Sequence, residues 1–214
     1  KTLIACGRFY PKEARTAEAR LRYYASQFPI VEVDSSYYAL PAAATSQLWV
    51  QRTPGGFVMN VKAFRLFTGH QTTPAVLPKD VQQALGPRKG NLFYKDTPAE
   101  LRDELWRRFH EALAPLRHAG RLGLVHFQFP PWLVRNREGH AHVRHCVERM
   151  QGFTVSVEFR NRTWFDDESR SDGRLRARAG GGAHGGRRTA GVRQQRAGRL
   201  ADDASALRAG AAAW

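Results

Sequence analysis

Four short segments of this 214-residue chain share one alternation of apolar and polar residues, and this alternation limits the fold more than any other feature. The segments are residues 31–34, 59–62, 125–128 and 155–158. In each of them the odd-numbered residues are apolar and the even-numbered residues are polar. Because successive side chains of a β-strand point to opposite faces, each segment would present one apolar and one polar face. We therefore predict four strands of the same two-faced kind.

Helical patterns separate these segments. We predict strands at residues 3–6, 30–34, 57–62, 122–129 and 154–159, and helices at 14–28, 42–52, 98–118 and 140–150. Residues 64–97 are rich in Pro, Gly and Thr and indicate a long irregular connection, of the kind that is usually functional or mobile. Alternation of strand and helix at this spacing is typical of an α/β fold with a parallel sheet.

The polar face narrows the choice among α/β folds. Parallel sheets are normally covered on both faces, and their strands then read as nearly continuous apolar runs. Polar residues near the carboxyl ends of parallel strands fit the mouth of a TIM-type (β/α) barrel, where inward side chains line a site. For a single strand, a solvated half-sheet or buried, satisfied polar groups would explain the pattern equally well; four concurring strands favour the barrel. Five predicted strands of eight make this barrel incomplete.

This interpretation brings polar side chains to one end of the sheet. Asp34, Lys62, Gln128 and Glu158 would lie at the mouth. One layer deeper we expect the even-numbered partners of these residues, which are Glu32, Asn60, His126 and Ser156. Carboxylates beside a lysine can act as acid, base or electrostatic stabiliser, or can form a structural ion-pair network without chemistry.

The same segments resemble a known family. Several motifs are similar, in sequence and in order, to those of the DUF72 (YecE-like) proteins: residues 31–41, 57–63, 127–131 and 157–161, followed by Trp164. The resemblance runs from about Arg8 to Phe165. It implies a TIM-type barrel but no particular reaction. The signature positions that it carries over are Glu32, Asp34, Ser35, Tyr38, Lys62, Gln128, Glu158, Arg160 and Trp164.

Three features depart from the family pattern or stand outside it. The Gly-Trp turn that usually follows the first strand is abbreviated here at residues 6–10, and His126 stands where an aliphatic residue is expected. A lone histidine on such a face is more often a tolerated core residue than a ligand. His70 lies in the long connection over the mouth, where it is a candidate acid or base, or a solvated loop histidine.

The last 45 residues form a separate region. We divide the chain into a partial barrel domain at residues 1–169 and a tail at residues 170–214, in which Ala, Gly and Arg make up 31 of 45 residues. Such a composition cannot bury a core and predicts disorder or a basic arm. The tail holds ten arginines against three aspartates, so it carries about half of the chain's net charge of +15.

A frameshift is a further interpretation of the tail, because GC-rich DNA read out of frame yields Ala, Gly and Arg. Residues 184–214 permit a choice of codons that can be read one nucleotide later. In that frame the codons can encode a strand, an Asp-Glu-Pro turn and a second strand ending in Arg-Leu-His-Gly. The encoded sequence resembles the part of the family sequence that would come next. The chain would then be truncated, with the missing strands present in another reading frame.

Three functional hypotheses follow. The first is an enzyme that binds a small anionic substrate at the barrel mouth, with Arg65 as a further anion contact. Its candidate catalytic residues are Glu32, Asp34, Glu158 and His70, and its candidate substrate-binding residues are Tyr38, Lys62, Gln128, Arg160 and Trp164. The second is nucleic-acid binding through arginines in the second half of the domain. The third is a non-functional fragment produced by the frameshift.

Location and cofactors are less constrained. No apolar run is long enough to span a bilayer, and residue 1 begins no signal-peptide pattern. Two distant cysteines, Cys6 and Cys146, favour a reduced cytoplasmic protein. No ligand spacing demands a metal, and the sequence identifies no cofactor.

Overall fold

The structure is a computed structural model, which describes residues 3–165. Helices and strands alternate along this part of the chain. The helices are α1 (Leu3–Cys6), α2 (Ala17–Gln27), α3 (Ser35–Tyr38), α4 (Ala43–Gln51), α5 (Lys79–Leu85), α6 (Ala99–His118) and α7 (Arg137–Arg149). The strands are β1 (Ile30–Val33), β2 (Val58–Lys62), β3 (Leu122–Gln128) and β4 (Val155–Glu158). Three 3₁₀ turns lie at Pro74–Val76, Tyr94–Asp96 and Arg162–Trp164.

The four strands form one parallel sheet in the order β1-β2-β3-β4. Each strand is joined to its neighbour through at least one helix, because parallel strands need a crossover connection. Sequential order of this kind differs from a doubly wound sheet, in which the strand order reverses at a switch point. Within residues 3–165 the sheet is open, with β1 and β4 at its edges.

The apolar face of the sheet packs on the helices. Val33, Val61, Val125 and Phe127 point into one hydrophobic core together with the inner face of α6. That helix contributes Leu105, Trp106, Phe109, Ala112, Leu113 and Leu116, all at most 1% exposed. The helical spacing of these residues explains why α6 forms and which side of it is buried.

A local offset in the sheet sets the level of the polar side chains. Between β2 and β3 the register passes from Met59 opposite Leu122 to Val61 opposite Val125, so one extra residue of β3 is accommodated there. The Asn60 side chain stabilises this bulge, because its Oδ1 accepts a hydrogen bond from the backbone N–H of Leu124 at 3.1 Å. Gly123 permits the close approach, since a Cβ there would lie 2.4 Å from that same oxygen.

Two predicted elements were wrong. Residues 3–6 form the short helix α1 and not a strand; an apolar run of four residues has no usable periodicity, and Gly7 at φ 65° ends the helical turn. Residues 64–97 are not irregular throughout, since they contain α5 and an antiparallel bridge between Thr72 and Leu92. The other predicted strands and helices are confirmed with small changes at their ends.

The predicted disorder, domain boundary and frameshift of the tail lie outside the described residues.

Candidate functional site at the carboxyl ends of the strands

The polar residues of the four strands share one face of the sheet, opposite the helices, but their levels differ from the prediction. Lys62 pairs in register with His126, and His126 pairs with Ser156. Gln128 and Glu158 pair with each other one layer further toward the carboxyl ends. Lys62 therefore lies level with His126 and Ser156, and not with Gln128 and Glu158 as predicted. Without the extra residue of β3, Lys62 would lie opposite Val125, so the bulge brings the polar residues of β2 and β3 to the same face.

Asp34 and Lys62 form a direct ion pair. Lys62 Nζ lies 3.1 Å from Asp34 Oδ1, and the two side chains are 8% and 14% exposed. Ser36 fixes the backbone beside them, because its buried hydroxyl contacts the carbonyl oxygens of Val33 at 2.8 Å and Lys62 at 2.7 Å. This pair joins β2 to the segment that follows β1.

Glu158 is the centre of a second polar group. Its Oε2 accepts a hydrogen bond from Gln128 Nε2 at 2.7 Å, and its Oε1 accepts one from Arg160 Nε at 2.8 Å. His126 Nε2 also lies 3.3 Å from Oε2. Burial opposes ionisation of Glu158, but the hydrogen bonds from Arg160 and Gln128 outweigh it and lower the pKa of this carboxyl to about 2. Glu158 is therefore ionised at neutral pH and can act as an electrostatic stabiliser, whereas a pKa this low makes it a weak base.

The Tyr37 ring contacts two cations, Lys62 and Arg65. Lys62 Nζ lies 5.3 Å from the centroid of the Tyr37 ring, and the Arg65 guanidinium lies 5.4 Å from it, both within cation–π range. The ring of His70 meets the same tyrosine edge to face at 5.4 Å. Arg65 Nε is buried and has no hydrogen-bond partner among residues 3–165.

His70 is buried and neutral. Burial lowers its pKa to about 4, and the positive charges of Arg65, Arg160 and Lys62 act in the same direction. The Thr68 hydroxyl lies 3.0 Å from the Arg65 carbonyl, to which it can donate, and 2.8 Å from His70 Nδ1. A hydroxyl has one proton to donate, so Thr68 then accepts from Nδ1–H and leaves His70 Nε2 as an acceptor. This arrangement suits a base better than an acid.

The remaining predicted residues are placed less centrally. Tyr38 is 58% exposed at the rim, beside Tyr37. Glu32 lies level with Asn60, partly buried, and has no hydrogen bond or ion pair within the described chain. Trp164 is separate from the group: it is 7% exposed, stacks on Phe159 at 4.1 Å, and donates from Nε1 to the Leu133 carbonyl.

Sequence reasoning missed two contributors. Tyr37 was passed over in favour of its neighbour, although its position after Asp34 in a short helix could have suggested an inward ring. Trp132, whose exposed indole meets the His70 ring at 5.4 Å, was also missed. Trp132 lines an adjacent cleft of 660 Å³ together with Gly69, Tyr94 and His142. None of the nine predicted site residues lines that cleft, so its volume does not define the polar site.

Residues 3–165 contain no group of three or more His, Cys, Asp or Glu side chains arranged to hold a metal ion. Among the helices of this region, none has the length and apolar character required to cross a bilayer.

Known proteins resemble the chain over most of its length. Residues 2–181 match the sequence model of the family described as "Protein of unknown function DUF72". The UPF0759 protein YunF of Bacillus subtilis is 36% identical over 155 residues, which cover 72% of this chain and 46% of that protein.

Two solved structures resemble the fold. A DUF72 family protein of Enterococcus faecalis aligns with a TM-score of 0.53 at 22% identity and covers 69% of this chain and 50% of its own. A DUF72 family protein of Thermotoga maritima aligns with a TM-score of 0.50, also at 22% identity, and covers 77% of this chain and 54% of its own. The chain thus spans about half the length of these relatives. The ordered motifs, the family match over residues 2–181 and the parallel sheet agree, and the chain belongs to the DUF72 family.

Proposed function

We propose that this chain is the front part of a TIM-type barrel enzyme that binds a small anionic substrate at the carboxyl ends of its strands. The observation that carries the proposal is the cluster of Lys62, Arg65 and Arg160 around the buried, neutral His70. Lys62 is paired with Asp34 and Arg160 with Glu158, so Arg65 is the cation of this cluster that has no carboxylate partner among residues 3–165 and can attract an anion. Arg65 also offers a buried N–H that lacks a protein partner among residues 3–165.

The roles of the other residues follow from their partners. Glu158 is held ionised by Gln128 and Arg160, so it would stabilise positive charge. Glu32 is a carboxylate without a partner in the described region, which suits proton transfer. Tyr38 at the rim would contact the substrate as it enters. Trp164 would stabilise the segment beyond β4, through its stacking on Phe159 and its hydrogen bond to the Leu133 carbonyl.

The proposal includes closure of the barrel. A parallel sheet in sequential order with one polar face suits a barrel interior, and a TIM barrel has eight strands in about 250 residues. The frameshift interpretation would place the remaining strands in another reading frame of residues 170–214 and beyond. A one-base insertion or deletion near codons 165–184 in resequenced DNA would support it, and an intact frame would contradict it. A reduced, cytoplasmic setting for Cys6 and Cys146 also remains a prediction.

Nucleic-acid binding is the alternative, and the surface arginines bear on it. Arg107 pairs with Glu104 and Glu111, and Arg108 pairs with Asp80. Arg149 pairs with Asp103 at 2.8 Å. Arginines neutralised in this way contribute little to a phosphate-binding surface. A steep loss of DNA or RNA affinity with salt would nevertheless favour this alternative.

Anion binding can be tested directly on the 214-residue chain. Phosphate and small dicarboxylates are titrated while the melting temperature and the dissociation constant are measured. We expect saturable binding that Arg65→Met weakens by about tenfold, since a charge-assisted hydrogen bond contributes about 1.5 kcal/mol or more. Arg117→Met is the matched control. Arg117 belongs to α6, and its guanidinium lies over the Phe153 ring. Equal binding by both variants, or none by the parent chain, would overturn the proposal.

A further inference from the structure

His126 stands between a hydroxyl and a carboxylate on the polar face of the sheet. Its Nδ1 lies 2.7 Å from Ser156 Oγ, and its Nε2 lies 3.3 Å from Glu158 Oε2. Serine, histidine and carboxylate in this order are the parts of a Ser-His-acid triad, which is recognised by geometry and roles and not by sequence position. The two ring nitrogens are exchanged relative to the serine proteases, in which Nε2 faces the serine.

The proton positions follow from the partners. Glu158 is ionised and can only accept, so the hydrogen bond to His126 requires a proton on Nε2. In the neutral ring Nδ1 is then an acceptor, and the Ser156 hydroxyl donates to it. This is the tautomer that a general base needs in order to take a proton from serine.

Rigid strands hold the three groups in place. His126 and Ser156 are direct cross-strand partners in β3 and β4, and Glu158 lies two residues beyond Ser156 on the same face. Gln128 fixes the carboxylate by a second hydrogen bond at 2.7 Å. Ser156 is partly exposed, so a substrate can approach its hydroxyl. Lys62, on the neighbouring strand β2, lies level with His126 and Ser156.

We propose that Ser156 is the nucleophile of an acyl-transfer site, with His126 as its general base and Glu158 as the residue that orients His126. The substrate class is an ester of a small carboxylic acid that carries a further negative charge. The nucleophile is inferred from the Ser156–His126–Glu158 contacts alone, whereas the anionic character of the substrate rests on the proposed function.

The step balances with water as the second reactant. Ser156 Oγ forms a bond to the ester carbonyl carbon, and its proton passes to His126 Nδ1. The carbon–oxygen bond to the alcohol breaks, and the alkoxide takes the proton from Nδ1 and leaves as the alcohol. Water then attacks the acyl-serine and gives its proton to Nδ1. That proton returns to Ser156 Oγ as the free acid departs.

A fluorophosphonate probe tests the nucleophile on the 214-residue chain. Ser156 Oγ would bond to phosphorus and displace fluoride, and the adduct would be located by mass spectrometry. Trypsin releases the peptide 150–160, in which Ser156 is the only serine. We expect modification there, loss of it in Ser156→Ala, and a rate about 10²-fold or more lower in His126→Asn. The pH dependence of the rate should also disappear in His126→Asn.

Ser26→Ala is the control, because the exposed Ser26 hydroxyl makes hydrogen bonds within its own helix, to the Tyr23 carbonyl at 2.7 Å and from Gln27 Nε2 at 3.1 Å. Circular dichroism establishes that each chain is folded. An unmodified peptide 150–160 in the folded parent chain would overturn the inference. The contact between His126 and Ser156 would then be a structural hydrogen bond between strands. Modification at an unchanged rate in His126→Asn would also overturn it. If that variant fails to fold, the location of the adduct in the parent chain decides.

The two proposals fail separately. Anion binding without modification of Ser156 would refute only the nucleophile. Modification of Ser156 without anion binding would refute only the anionic substrate.

Discussion

The two polar groups on this face of the sheet are built differently. Asp34 and Lys62 form a closed pair with side chains 14% and 8% exposed, and each charge has the other as its principal partner. Glu158 is 31% exposed and shares its two oxygens among Gln128, Arg160 and His126. A closed, buried pair holds strands together, whereas a shared and accessible carboxylate can exchange partners with a substrate. For the proposed enzyme, this difference favours the β3–β4 side as the place of the chemistry.

The largest expected effect concerns the closed pair. Lys62→Met leaves the Asp34 carboxylate buried without its partner, so the free energy of unfolding should fall by about 3 kcal/mol. Replacing both residues, as Lys62→Met with Asp34→Asn, should recover most of this loss because no buried charge remains. Urea denaturation of the two single variants and the double variant measures the coupling.

An exposed pair provides the control for this cycle. Arg22 and Glu18 lie 2.9 Å apart on α2 with side chains 56% and 43% exposed, so Arg22→Met should cost no more than about 0.5 kcal/mol. If Lys62→Met costs no more than Arg22→Met, the Asp34–Lys62 pair is not the structural half of the site.

A smaller effect is expected on the Glu158 side, and it depends on pH. The folded pKa of Glu158 is about 2, below its ordinary value of 4.5, so the stabilisation is complete above pH 4.5 and is lost as the pH falls toward 2. Allowing for solvent screening at a side chain 31% exposed, we expect about 1 kcal/mol. The stability of Glu158→Gln, followed from pH 5 to pH 2.5, should lack this component.

The outcome also distinguishes the two groups. If Glu158→Gln retains the full pH dependence of the parent chain between pH 4.5 and pH 2, other carboxyls account for it. In that case the hydrogen bonds of Gln128 and Arg160 to Glu158 do not favour its ionised form, and the contrast with the Asp34–Lys62 pair is lost.

Much of this arrangement could be predicted from the sequence. The period-2 alternation located all four strands and the shared polar face, since alternation reports directly on which side chains meet the core. The levels could not be predicted, because they follow from the register between β2 and β3, and its bulge depends on the Asn60 side chain fitting against Gly123 in three dimensions. The separation of Trp164 from the polar group could not be predicted for a related reason: its partners, Phe159 and the Leu133 carbonyl, meet it only after the chain turns beyond β4.

His126 shows the limit of reasoning from residue type. A histidine on an otherwise aliphatic-looking position was interpreted as a tolerated core residue, and nothing in one strand argues against that. Its partners come from the neighbouring strand, at Ser156 and Glu158, and their distances depend on a register that the sequence of β3 does not contain.

The smallest expected effect separates two adjacent tyrosines. Tyr38 is 58% exposed, so Tyr38→Leu should change the free energy of unfolding by no more than about 0.5 kcal/mol. Tyr37 lies under Lys62 and Arg65, so Tyr37→Leu should cost about 1 kcal/mol through lost cation–π contacts and should also weaken phosphate binding. Urea denaturation and phosphate titration of both variants measure the difference. Equal effects from the two substitutions would mean that the Tyr37 ring does not organise the cations, and that Arg65 and Lys62 are held by their backbones alone.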